Sequence, residues 1–170
     1  MRRCRFVTKV ICFTVLGFIL VACQSTKTEP VLQCPFSELT WDSTYDDMVK
    51  LEGQTDDTYD SVYGGICYKY PKSYENKAGT IKYMFDDKNQ LMCIAWTYNS
   101  QDSDELYSLY NTINASINDT YGESNYNTEK ETNYGNVWYL EGGHITLSTM
   151  ITDTNKALQY AYINPANSKE

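Results

Sequence analysis

The chain has 170 residues, 42% hydrophobic and 14% aromatic, with 14 Lys+Arg against 22 Asp+Glu and a net charge of −8. Its arginines, Arg2, Arg3 and Arg5, all fall in the first five residues, so the rest of the chain is acidic and its strong bases are lysines. That balance excludes a nucleic-acid partner and an electrostatic grip on anionic lipid.

Residues 1–22 have the layout of an export signal. Arg2, Arg3, Arg5 and Lys9 form a basic start, followed by an apolar run from Val10 to Val21. The run is too short for the ~20 residues that cross a bilayer as a helix. Arg2-Arg3 is followed by Cys4-Arg5-Phe6, which does not fit a twin-arginine signal. Leu20-Val21-Ala22-Cys23 closes the run and resembles the bacterial lipobox. The resemblance implies cleavage before Cys23, a diacylglycerol on its sulfur and two or three acyl chains in all, palmitate-like, enough for stable anchoring. It places the body on the extracytoplasmic face of the cell membrane. The alternative is a soluble secreted protein with a coincidental cysteine. Cleavage leaves 148 residues with ten lysines against 22 acids, a net charge of −12. Residues 23–39 are expected to be a lipidated tether, polar and ended at Pro30, with order beginning near Cys34-Pro35-Phe36.

A short helix is predicted within Thr40–Gly53. Ser43 or Thr44 would cap it, with Asp46 or Asp47 completing a capping box and Gly53 stopping it. After an acidic turn, Gln54 to Asp60, three strands are expected: Ile66–Tyr70, Thr80–Phe85 and Leu91–Tyr98. Pro71 to Gly79 reads as a loop, and Asp86-Asp87-Lys88-Asn89 as a tight hairpin. Asp102 and Glu105 form a second capping box. Leu106, Leu109, Tyr110, Ile113, Ile117 and Tyr121 recur at helical spacing up to Gly122. A polar loop, Glu123 to Thr132, leads to strands at Val137–Leu140, His144–Ile151 and Ala157–Ile163. The expected fold is therefore α+β: two helix–strand–strand–strand repeats, 40–99 and 100–164, of antiparallel sheet with helices on one face, and a tail at 165–170.

Thr44-Tyr45-Asp46-Asp47-Met48-Val49 with Gly53, ahead of hairpin-linked strands, resembles the small lipoproteins of the SmpA/OmlA (BamE) type. Two such units in tandem resemble the β-lactamase inhibitor proteins. Trp41-Asp42-Ser43 stands where that family usually has Gly and Met before the threonine, and Gln54-Thr55 where Pro usually follows the glycine. The resemblance implies a non-enzymatic binding lipoprotein and assigns no partner.

Motifs for catalysis are not found. His144 is the single histidine and is expected to be a turn residue beside Gly142-Gly143. The acids cluster at helix starts and turns, where they have structural reasons to be. No CxxC accompanies the lone histidine, so neither a zinc site nor any cofactor is expected. Cys34, Cys67 and Cys93 remain after Cys23. A Cys67–Cys93 disulfide would contribute roughly 3 kcal/mol, and two buried thiols are the alternative. Tyrosine and tryptophan make either half-buried sheet faces or a contact surface. The candidate contact residues are Trp41, Tyr63, Tyr74, Trp96, Tyr126 and Trp138. The leading functional expectation is an anchored binding or assembly module of the cell envelope with a protein or cell-wall partner. An inhibitor of a cell-wall or secreted enzyme comes second, and a hydrolase with a carboxylate pair third.

Overall fold

The structure is a computed structural model that describes residues 32–130 and 133–167. Cys23 and the export signal lie outside the described residues. Helix α1 (Tyr45–Glu52) precedes strands β1 (Thr58–Asp60), β2 (Gly64–Tyr74), β3 (Lys77–Asp86) and β4 (Leu91–Asn99). Helix α2 (Ser103–Tyr121) precedes β5 (Tyr126–Lys130), β6 (Asn133–Leu140), β7 (Gly143–Ile151) and β8 (Lys156–Ile163).

All eight strands form one antiparallel sheet in the order β1-β2-β3-β4-β8-β7-β6-β5. This overturns the expected two helix–strand–strand–strand repeats. Each helix is followed by four strands, and β4 pairs with β8 from Cys93↔Ile163 to Asn99↔Ala157, so the sheet is continuous through its centre. The chain leaves the centre at β4, passes through α2, re-enters at the far edge as β5, and returns strand by strand. The segments read as polar turn and loop contain the two edge strands, β1 and β5. An edge strand pairs on one side only, so it needs no apolar alternation to be recruited.

β2 also runs through Pro71, which pairs opposite Thr80. Lys69 N–H bonds to Asp57 O on the β1 side. Alternate residues point their N–H groups the same way, so the nitrogen of Pro71 faces that side too. β1 pairs β2 only at Ile66–Tyr68, so Pro71 deprives no strand of a donor.

Local signals place both helices. Thr44 caps α1 in a full capping box with Asp47, and Gly53, at φ 91°, ends it with its N–H on Val49 O. Asp102 caps α2 through the N–H groups of Asp104 and Glu105. The reciprocal half of the expected second capping box is not made. Glu105 turns instead to Lys77, Ser100 and Tyr98 and ties the helix start to the β2–β3 end of the sheet.

Both helices cover one face. Met48 of α1 and Leu106, Leu109, Tyr110, Ile113 and Ile117 of α2 pack on Tyr70, Ile81, Tyr83, Ile94, Leu147, Leu158 and Tyr160. The expected tether joins this core. Phe36 is 4% exposed and meets Tyr74, Tyr160 and Tyr162 edge-on at centroid distances of 5.5, 5.3 and 5.8 Å. Ser37 Oγ lies 2.9 Å from Tyr83 Oη. The packed body therefore starts before residue 40, and any free tether is shorter than residues 23–39.

Candidate functional site

The helices and residues 32–41 take one face of the sheet, and side chains of opposite parity take the other. Register places them in rows across the strands. One row runs Tyr59, Cys67, Met84, Cys93, Ile163, His144, Tyr139. The next runs Lys69, Lys82, Ala95, Ala161, Thr146, Val137. A third runs Pro71, Thr80, Thr97, Gln159, Ser148, Gly135. The centre is small and close-packed: Cys93, Ala95 and Ala161 are buried, with Tyr63, Met84 and Ile163 against them. Large side chains stand at the sides. Tyr59 is exposed on β1, Tyr126 and Tyr139 are 58% and 59% exposed on β5 and β6, and Met150 is half-exposed on β7.

A depression of ≈ 520 Å³ opens on this face. It is lined from β1 (Tyr59) across Lys69, Lys82 and Thr97 to β7 (Ser148, Met150). A flat sheet would spread those strands over about 24 Å at ~4.8 Å per step. The depression is therefore a wide trough, with the small side chains of the centre at its floor and larger ones at its sides.

The polar chemistry of the depression is basic, against the charge of the chain. Lys69 is paired with Asp57 at 2.6 Å and lies 5.9 Å from the centroid of the Tyr59 ring. Lys82, opposite it on β3, is half-buried and has no ion pair among the described residues. Thr97 Oγ1 is buried without a hydrogen-bond partner among the described residues.

The six predicted contact residues divide. Tyr126 is exposed at one side of this face, and Tyr63 packs against the Cys93 cluster at its end. Trp96 and Trp138 are core residues of the other face. Trp96 Nε1 donates to Lys72 O at 2.9 Å, and Trp138 Nε1 to Gly122 O at 3.0 Å. Tyr74 joins them, edge-on to Trp96 at 5.4 Å. Trp41 is half-buried and donates to Gly142 O at 2.7 Å, pinning the 32–41 segment to the β6–β7 hairpin. A tryptophan that buries its ring and finds a partner for its N–H behaves as core, whatever its promise as an anchor.

His144 lies within β7 rather than at a turn tip. It is half-buried, edge-on to Tyr139 at 4.9 Å, and burial lowers its pKa, so it favours the neutral ring. Cys67 and Cys93 are free thiols, separated by Met84 on the intervening strand. Burial pushes Cys93 up to about 12 and raises Cys67, which keeps both protonated and unreactive. Of the two readings left open for this pair, the structure shows two free, buried thiols. Among the described residues, no group of His, Cys, Asp or Glu converges as metal ligands do, and no helix is long and apolar enough to cross a membrane.

The residues that sequence reasoning missed are Lys69, Lys82, Thr97, Tyr59 and Tyr139. The alternation Thr80-Lys82-Met84 against Ile81-Tyr83-Phe85 already assigns the lysine to the face away from the core. The register that brings Lys69 beside Lys82 is not written in either strand alone. No protein-family model, curated protein or solved structure matches the chain.

Proposed function

We propose that the chain is a lipid-anchored, non-enzymatic binding module of the cell envelope that engages its partner with the uncovered face of the sheet. One observation carries the proposal: a continuous eight-stranded face is left free of helices by the described residues and is flanked by exposed Tyr59, Tyr126 and Tyr139. Tyrosines with apolar rings and wet hydroxyls are typical contact anchors. The anchor rests on Leu20-Val21-Ala22-Cys23, and the absence of arginine from the body suits attachment through lipid rather than charge. The acids support a non-enzymatic reading because they have structural work: Asp47 and Asp102 cap helices, and Asp86 closes the β3–β4 turn onto Lys88 and Gln90 N–H.

A photo-crosslinking amino acid at position 126 or 139 tests the face in the native envelope. Position 107, exposed on α2, is the control. A discrete adduct from 126 and 139 and none from 107 is expected, and equal yields from all three would overturn the reading. For the anchor, Cys23→Ala is expected to move the protein out of the membrane fraction, and a mutant that stays there refutes lipidation. Inhibition of a cell-wall or secreted enzyme is a narrower version of the same function. The depression in the face favours it, because a depression receives a protruding loop better than a flat surface does.

A further inference from the structure

The body of the chain is acidic, yet the uncovered face carries two facing lysines on β2 and β3, beside its close-packed centre, and that mismatch points to the chemistry of the partner. Among the described residues, the lysine side chains in ion pairs are those of Lys50, Lys69, Lys72 and Lys77. Lys82 is half-buried in the depression and forms no ion pair with any carboxylate of the described residues. Thr97 is the second group that lacks a partner. It stands opposite Thr80, one pleat along from Lys82 on the neighbouring strand, within reach of a lysine side chain. Its hydroxyl is buried and unpaired, a costly state unless something else supplies the bond. Gln159, directly opposite Thr97 on β8, adds an amide at the same level.

We propose that the Lys82 ammonium and the Thr97 hydroxyl form a carboxylate-binding subsite that takes an Asp or Glu side chain from the polypeptide partner. Both groups donate, and a carboxylate offers acceptors to both. Lys69 contributes less, because Asp57 already neutralises it. The size of the face selects a polypeptide over a small anion. Eight strands at ~4.8 Å spacing and about eight residues of length give on the order of 900 Å², close to one side of a standard protein–protein interface. The subsite rests on the docking role proposed for this face.

The experiment pans two phage libraries of nine-residue peptides against the purified full chain. One library fixes Asp at the centre and the other fixes Asn. The Asp library is expected to enrich clones that lose binding roughly 10- to 100-fold on K82M or K82Q and about fivefold on T97V. They should keep it on K82R and on K88M, a change at an exposed hairpin lysine. Circular dichroism checks that each variant is folded. Clones from the Asn library that bind equally well, or Asp clones indifferent to K82M and K82Q, overturn the subsite. If such clones are still lost on Y126A/Y139A, the face remains a docking surface and the carboxylate assignment alone falls. If neither library yields clones sensitive to any change on this face, both fall.

Discussion

The indole of Trp96 reaches across Gly79 to the backbone of β2. Its Nε1 donates to Lys72 O at 2.9 Å, and Lys72 pairs with Gly79 on the intervening strand. A Cβ at Gly79 would stand 2.5 Å from that nitrogen and 2.6 Å from Thr97 O. The missing side chain is thus the space through which the largest buried ring of the core joins three strands.

Gly79→Ala is therefore expected to displace the indole and cost about 2–4 kcal/mol, from overpacking and the lost hydrogen bond. Urea unfolding reads this as a lower midpoint at constant slope. A midpoint equal to that of the parent chain would mean that the strand shifts freely, against the geometry.

Phe36 makes a second demand on stability. A linker residue truncated to alanine changes little, whereas a buried phenylalanine wedged among Tyr74, Tyr160 and Tyr162 should cost about 3–5 kcal/mol. Phe36→Ala measured beside Glu38→Ala, a change at an exposed residue of the same segment, separates core from tether. A loss under about 1 kcal/mol, the range of ordinary surface changes, would return residues 32–39 to the tether.

Which parts of this architecture could be read from the chain follows from the range of the forces involved. The α1 cap at Thr44 and Asp47, the stripe of α2 and the β3–β4 turn are local, and their residues announce them. β1 and β5 were hidden because edge strands borrow their order from a neighbour. The single sheet was hidden because it depends on β4 meeting β8, residues about 65 apart in the chain whose partnership no local pattern encodes. Trp96 and Trp138 were read as candidate anchors because an aromatic suited to a contact surface is equally suited to a core. Burial separates the two, and Tyr126 alone of the six stands freely on the proposed face.

Glu105 links the start of α2 to the sheet, and its titration should show in stability. Hydrogen bonds from Lys77, Ser100 and Tyr98 hold its carboxyl down to about 2, from an ordinary 4.5. A depressed folded pKa means that the stabilisation is complete above about 4.5 and is lost as pH falls toward 2. Lys77 is raised above its ordinary 10.5, chiefly by its hydrogen bond to Glu105, so its share is present below that value and fades as pH climbs beyond it. Glu105→Gln should flatten the acid limb of the stability–pH curve between about 4.5 and 2 and the corresponding alkaline limb. Parallel curves for parent and variant across that acid range would refute the linkage.

The row Tyr59, Cys67, Met84, Cys93 fixes the chemistry of the two central thiols. Each residue stands directly opposite the next, so Cys67 and Cys93 share a face but lie two strand spacings apart, about 10 Å. A disulfide requires Cα atoms within roughly 7 Å, so bridging these positions would mean expelling Met84 and breaking the β3 pairing. Burial also keeps both thiols protonated, and the thiolate is the reactive form. Iodoacetamide at pH 8 is therefore expected to spare Cys67 and Cys93 in the folded chain and to alkylate both in denaturant. A non-reducing digest of air-oxidised protein should contain no peptide pair joined through them. A joined pair would require β2 and β4 to become neighbours, and would overturn the register that sets Lys69 beside Lys82 on the uncovered face.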